Sequence, residues 1–493
     1  MPDITSVINT LDERQPYIAL KQAKKSSELA CDNTSIAGSM SQRACVYSGA
    51  RVALNPVTDA IHLVHGPIGC ASYTWDIRGS LSSDKEMFRT SFSTDMKELD
   101  VVFGGEKKLS KSIDELVELY NPPVIFVYST CIVGIIGDDL EAVCKEATER
   151  VGIPVLPVQS EGFKGTKSDG YKAACHALMQ LIGTKEPEIT SEYRINILGD
   201  YNVAGDVWLV KPLFEKMGVQ VITSMTGDAT ADSISKAHGA RLNLVQCSGS
   251  MTYLAKWMTR EYGIPFRKVS YFGIEDLAIA LRTVAEFFGS EEIIEHETKR
   301  IMPEIETIRN RLQGKTAAIY MGGAAKALTL IKGFRELGME VVIIGTQTGK
   351  RDDYKQISYQ VKDGTVIVDD ANALELADLL VRQKADLMVA GVKERFLAYK
   401  LGVAFCDFNH DRSIEFEGYD GFLNFARELD SSINSPVWKV YGSKLKPAVD
   451  EDTVTENRSG MKTENGAELK SAIKERNNMQ DLNTATLQQE SIA

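Results

Sequence analysis

The sequence has no apolar run approaching the ~18 to 20 residues a helix needs to cross a bilayer. Its longest candidates are short, strand-like stretches such as Val341 to Gly345, so no membrane role is expected. It also lacks the phosphate loop G-x-x-x-x-G-K-[ST], the nearest stretch being Gly345-Thr-Gln-Thr-Gly349-Lys350-Arg351, with the wrong spacing and ending. No G-x-G-x-x-G follows a strand, so neither ATP hydrolysis nor a bound dinucleotide is expected. Cysteine is scarce, eight in 493 residues, with no C-x-x-C pair. That is too sparse for a disulfide framework and leaves metal ligation, catalysis or burial as the uses of the thiols. Basic residues are outnumbered, 56 Lys and Arg against 68 Asp and Glu, for a net charge of -12. A nucleic-acid partner, which normally requires a clustered basic surface, is therefore not expected. The opening Met1-Pro2-Asp3-Ile4-Thr5 has neither a basic nor an apolar segment, and a cytoplasmic location follows as an expectation.

What is present is a repeated grammar of apolar strand, glycine turn, helix, glycine and second apolar strand. Its clearest copies are Ile195 to Gly199, a helix through Leu213 to Met217 and then Gly218 to Ile222; and Ala317 to Gly323, a helix to Leu337 and then Gly338 to Val342. The first third reads likewise, with strands expected at Ile61 to Val64, Val101 to Phe103 and Val124 to Tyr128. Helices are expected at Leu109 to Tyr120 and Leu140 to Arg150. The class is α/β, with three domains of parallel β-sheet flanked by helices. Polar joints at Thr184-Lys-Glu-Pro-Glu-Ile and Arg311-Leu-Gln-Gly-Lys divide the chain. We expect an extension over 1–40, domains over 41–190, 191–314 and 315–445, and a tail over 446–493. The tail is polar and has no aromatic residue, so it is expected to be disordered.

In open parallel sheets, ligands gather beyond the carboxyl ends of the strands. Cys70 follows the strand ending at His65, Cys131 follows Val124 to Tyr128, and Cys247 follows Leu242 to Gln246; Cys45 precedes the turn Val46 to Ala50. A free cysteine is most commonly a buried, packed residue. Cys144 and Cys175 lie at helical spacing among apolar neighbours and read as core, with Cys31 and Cys406 leaning the same way. Thiols at turns after strands are different, because they can converge on an iron–sulfur cluster. Cys45, Cys70 and Cys131 are one short of the four thiolates usual for [4Fe–4S]. Either another group completes the set or the cluster lies at a subunit interface. His62 and His65, alternating along one strand, read as satisfied structural histidines.

The stretches Val64-His-Gly-Pro-Ile-Gly-Cys70, Val127-Tyr-Ser-Thr-Cys131, Ser160-Glu-Gly-Phe-Lys-Gly165 and Asn243-Leu-Val-Gln-Cys247 resemble the nitrogenase component 1 superfamily. The resemblance runs from about residue 40 to 440. Within the superfamily, Arg78-Gly-Ser-Leu-Ser-Ser and Gly165-Thr-Lys-Ser-Asp-Gly-Tyr171 are more similar to the cofactor-assembly subunit than to the catalytic α subunit.

The resemblance implies three α/β domains around a cofactor pocket and an α2β2 heterotetramer with a NifN-like subunit. It matches Cys45, Cys70 and Cys131 to the ligands of an interface [4Fe–4S] cluster completed by the partner, and Cys247 to the cysteine holding a terminal iron of the iron–molybdenum cofactor. Arg78 matches a pocket arginine, and Lys393 a lysine that contacts homocitrate. Asn409 stands where the catalytic subunit has its molybdenum-side histidine, with His410 adjacent. Asn is a poor ligand for a soft metal site, which suits a cofactor gripped at one end and later released. The stretch Glu161 to Tyr171 has no histidine on the substrate side, removing a proton donor. The implied function is a scaffold holding an iron–sulfur precursor while molybdenum and homocitrate are inserted. A NifH-type iron protein would supply electrons, a NifB-type protein the precursor, and the catalytic nitrogenase apoprotein would accept the product. A vanadium scaffold, a catalytic α subunit, a tetrapyrrole reductase and a metal-free interaction protein are the alternatives.

Overall fold

The computed structural model describes residues 14–21, 29, 31, 44–73, 91–288, 291–409 and 412–438. An edge strand, β1 (Ile18–Leu20), comes first. The strands β2 (Ile61–His65), β3 (Ser91–Ser93), β4 (Ile125–Ser129) and β5 (Val155–Val158) form one sheet in the order β3-β2-β4-β5. A second sheet runs β7-β6-β8-β9 from β6 (Arg194–Asp200), β7 (Gln220–Thr226), β8 (Leu242–Val245) and β9 (Phe266–Lys268). The third adds β10 (Thr316–Met321), β11 (Glu340–Thr346), β12 (Val366–Asp369), β13 (Leu387–Ala390) and β14 (Ala404–Asp407), in the order β1-β12-β11-β10-β13-β14. All pairs are parallel except β1 with β12.

The strands are apolar runs because helices cover both faces of a parallel sheet. Central strands β2 and β4 are buried at every position. The exception, β1, is fastened by Arg14, which donates to Glu375 (2.9 Å) and to the carbonyl oxygens of Asp369 and Asp370. Met1–Tyr399 and Val403–Ser435 form one compact unit; a second comprises Lys400–Gly402 and the chain from Pro436 onward. Among the described residues no helix is long and apolar enough to cross a membrane.

The expected strand at Val101 to Phe103 is instead the end of a short helix, Glu98–Phe103. Asp100 caps it, accepting from the Lys97 backbone at 2.8 Å, and its apolar residues Leu99, Val102 and Phe103 face solvent. An apolar triplet identifies neither the period nor the burial of its element. The expected tail, Arg78 and His410 lie outside the described residues.

Each sheet has a point where successive connections leave in opposite directions: between β2 and β4, between β6 and β8, and between β10 and β13. Crevices open at the carboxyl ends of such strand pairs.

Candidate functional site

The first crevice holds Cys70 in the short helix Ile68–Tyr73 after β2, and Cys131 at the start of the helix Cys131–Ile136 after β4. Cys45 arrives from another direction, at the cap of the helix Val46–Leu54, where its backbone forms an isolated bridge with Thr166. A methyl group on Gly162 would stand 3.0 Å from the Cys131 sulfur, 3.3 Å from Cys45 Cβ and 3.6 Å from the Cys45 sulfur. Only a residue without a side chain fits between those thiols. Burial pushes the Cys70 thiol up, and the nearby Cys131 and Cys45 thiols add to the shift. The three sulfurs therefore share one electrostatic neighbourhood. Among the described residues no three His, Cys, Asp or Glu side chains are arranged to hold a single metal ion. A multi-iron cluster places its protein sulfurs on different irons, and thiols arriving from separate elements are the donor set such a cluster takes.

Cys131 is exposed, while Cys45 and Cys70 are partly so. Exposed apolar side chains surround them: Ile68 beside Cys70, Ile135 on the helix of Cys131, and Phe163 next to Gly162. The helix Glu98–Phe103, with Val102 71% and Phe103 81% exposed, packs against the helix of Cys131. The other thiols contrast with these. Cys144, Cys175 and Cys406 are buried, and burial pushes Cys144 and Cys175 up to about 12, as expected of packing residues. His62 and His65 are also buried and partnered, to Tyr128 (2.8 Å) and to Thr94 and Asp138 (both 3.1 Å).

The second crevice opens into a cavity of about 390 Å³ lined by residues from the second and third sheets. Cys247 lies in its wall, capping the helix Ser248–Tyr262 after β8. Gly199, at the end of β6, presses on it; a methyl group there would come within 2.8 Å of Cys247 Cβ. Asn409 lines the same cavity, and among the described lining residues Cys247 is the only thiol and none is an imidazole. Lys326 enters from the helix Ala324–Glu336 after β10. Lys393 sits in a single 3₁₀ turn after β13.

Lys167 joins these cations. Burial, aided by Lys393 and Lys326, pulls its ammonium down to about 8, while the Cys247 sulfur opposes the shift. Lys167 starts the helix Lys167–Leu181, which crosses Val46–Leu54 in backbone contact. Gly49 and Gly170 make that crossing possible, since a methyl group on either would sit 2.0 Å from a carbonyl oxygen of the other helix. Lys326 thus lines the cavity with the Cys247 thiol, and Lys167 lies within electrostatic reach of Cys247, Lys326 and Lys393, an arrangement suited to a polyanion with a soft metal at one end.

The cavity lining is also acidic, with Asp200, Asp206 and Glu417 in it. Arg412 pairs with both carboxylate oxygens of Asp206, which also accepts from the Phe416 (2.8 Å) and Glu417 (3.2 Å) backbone. The sequence reading did not single out Lys167, Lys326, Asp200 or Asp206. The one signal available was position, because Asp200 ends β6 and Lys326 lies in the first turn of the helix that follows β10.

The family model for nitrogenase component 1 type oxidoreductase matches residues 45–434. The chain is 69% identical to the nitrogenase iron-molybdenum cofactor biosynthesis protein NifE of Methanosarcina barkeri over 90% of its own length and 100% of that protein's. It is 58% identical to NifE of Clostridium pasteurianum, over 83% and 91% respectively. Against the nitrogenase molybdenum-iron protein alpha chain of Methanosarcina barkeri the identity is 37%, over 86% and 92%. Among solved structures, nitrogenase Cp1 at pH 5 superposes with a TM-score of 0.79 at 33% identity, covering 87% of this chain and 96% of that one. With its match over nearly the whole folded chain, its three crevices and its cavity thiol, this chain belongs to the nitrogenase component 1 family.

Proposed function

We propose that the chain is a scaffold for biosynthesis of the nitrogenase iron–molybdenum cofactor. It holds an iron–sulfur precursor in the cavity while molybdenum and homocitrate are added. The observation that supports this reading is the asymmetry of the cavity in soft ligands: one thiol, Cys247, and no second thiol or imidazole in the described lining, where Asn409 stands. A single soft ligand is enough to hold a metal cluster and leaves it removable. Lys167, Lys326 and Lys393 balance the negative charge of cluster and organic acid, and Arg78 is assigned the same task by family resemblance.

The resident group we assign to the first crevice is a [4Fe–4S] cluster held by Cys45, Cys70 and Cys131, which would supply one-electron chemistry at the subunit boundary. A NifN-like partner supplies the remaining ligand in an α2β2 assembly, and the exposed apolar residues around the three thiols support a partner docking there. A NifH-type iron protein, a NifB-type precursor donor and the catalytic apoprotein as acceptor complete the scheme, in the cytoplasm. We assign the chain domains over 41–190, 191–314 and 315–445, a division that the three separate sheets support.

The test is anaerobic co-expression with the partner, followed by iron analysis and by transfer to a nitrogenase apoprotein lacking its cofactor. The complex is expected to carry iron and to restore acetylene reduction by the acceptor without reducing acetylene itself. The Cys247→Ala complex is expected to keep its interface iron and lose the transferable cargo. Equal transfer by the variant would contradict the role of Cys247, and acetylene reduction by the complex alone would favour a catalytic subunit.

A further inference from the structure

The acidic wall of the cavity has chemistry that holding a cluster does not use. Asp200, the last residue of β6, and Glu417, preceding the helix Gly418–Ile433, both line the cavity and are only 5% and 7% exposed. Their carboxyl groups face each other. Asp200 accepts from the Asn202 backbone at 2.8 Å, but Asp200 Oδ2 and Glu417 Oε2 are buried with no hydrogen-bond donor.

The groups around this pair do not supply a donor for those two oxygens. Arg412 acts on the pair electrostatically, its terminal nitrogens bond Asp206, and its Nε, like the Tyr271 hydroxyl, is buried with no partner. Asp206 adds negative charge beside Asp200 and Glu417, and Lys326 acts on Asp206. Tyr271 is buried against both carboxyls, and the Gln246 amide reaches Glu417. Two ionised carboxylates facing each other in so dry a place repel strongly, and one shared proton removes the repulsion and satisfies both orphan oxygens. Burial moves in the same direction, raising Asp200 to about 6 and Glu417 well above its ordinary value, so the pair holds a proton more tightly than exposed carboxyls do. That proton belongs to the pair rather than to either residue.

We propose that Asp200 and Glu417 form an acid pair that donates protons to the oxygens of a metal oxyanion entering the cavity. The proposal rests on the scaffold reading above and adds a reaction step to it. High-valent molybdenum exists in water as an oxyanion, which Lys326 in the cavity lining would attract. Each oxygen that the metal gives up leaves as water and takes two protons. The metal–oxygen bond breaks with its electron pair going to oxygen, and a cluster sulfide or an organic-acid oxygen donates a pair to the vacated position. The acid pair gives one proton, is reprotonated through water by a proton from bulk solvent, and gives the second, so each departing oxygen consumes two solvent protons in the net. The metal keeps its oxidation state throughout, so no reductant enters this step.

The test uses the precursor-loaded complex of the full chain with its partner, together with a NifH-type iron protein, ATP, a reductant and homocitrate, offered either molybdate or tetrathiomolybdate, whose retained sulfurs need no acid. Molybdenum and iron are counted in the same sample. With molybdate, Glu417→Gln and Asp200→Asn are expected to slow molybdenum uptake about 100-fold, while uptake from tetrathiomolybdate stays within about twofold of wild type. Equal slowing from both sources, or no slowing from molybdate, overturns the acid role and leaves the scaffold reading standing. A wild-type complex that carries iron but takes molybdenum from neither source overturns both. Infrared spectroscopy reads the proton directly: because burial also raises Glu394 to about 7, the readout is the difference between wild type and Glu417→Gln, where loss of a carboxylic acid C=O band is expected and the absence of that loss overturns the pair.

Discussion

Gly162 lies against Cys131 so closely that one added methyl group would stand 3.0 Å from the Cys131 sulfur. The same methyl group would press on Cys45, so one position guards the approach of two thiols from distant parts of the chain. Gly162→Ala is expected to reduce the iron held at the interface of the co-purified complex with an unchanged far-ultraviolet spectrum. Full iron content in that variant would show that the thiols do not need this geometry.

The crossing of the two helices that begin at Val46 and Lys167 fixes Cys45 relative to the cavity. A side chain at Gly49 or Gly170 meets backbone, which cannot rotate away. Gly49→Ala or Gly170→Ala should each cost about 3 kcal/mol, seen as a lower melting temperature. Gly249→Ala, where an added Cβ meets nothing within 4 Å, is the control and should change little.

Arg412→Ala should be among the most damaging single changes, because it strands the buried Asp206 charge at a cost of about 3 to 5 kcal/mol. The Arg412 guanidinium holds Asp206 below the usual carboxylate range against the effect of burial. Its contribution is therefore present above that range and lost as the pH falls through the folded value. Glu417 behaves oppositely. Burial raises it, so the folded state binds its proton more tightly than the unfolded chain does, and ionising it destabilises the fold as the pH rises from the ordinary carboxylate range toward neutrality. Glu417→Gln is expected to gain stability relative to wild type across that rise, and a constant difference between pH 4 and pH 7 would contradict the assignment.

Lys167→Met is expected to weaken retention of the anionic precursor on the order of tenfold, the loss of one charge-assisted hydrogen bond. Interface iron should be unaffected. Equal precursor retention on gel filtration would place Lys167 outside the binding surface.

The strand-and-glycine grammar made the three parallel sheets legible, because strands covered on both faces read as unbroken apolar runs. Cys70, Cys131 and Cys247 were legible by the same rule, as residues that follow strands. Val101 to Phe103 misled because a short exposed helix can be as apolar as a strand. Lys167 was hidden for another reason: its surroundings are assembled from Cys247, Lys326 and Lys393, which no local pattern connects. Asp200 and Glu417 were likewise invisible as a pair, since each reads as an ordinary charge until the fold buries both against one cavity.

Iron counted per complex after anaerobic purification with the partner, in Cys45→Ala, Cys70→Ala and Cys131→Ala beside Cys144→Ala, tests the central claim most directly. The first three are expected to lose the interface cluster and its reduced-state EPR signal, while the buried Cys144 variant keeps both. Unchanged iron in all three, or the same loss in Cys144→Ala, would contradict a cluster held by these sulfurs.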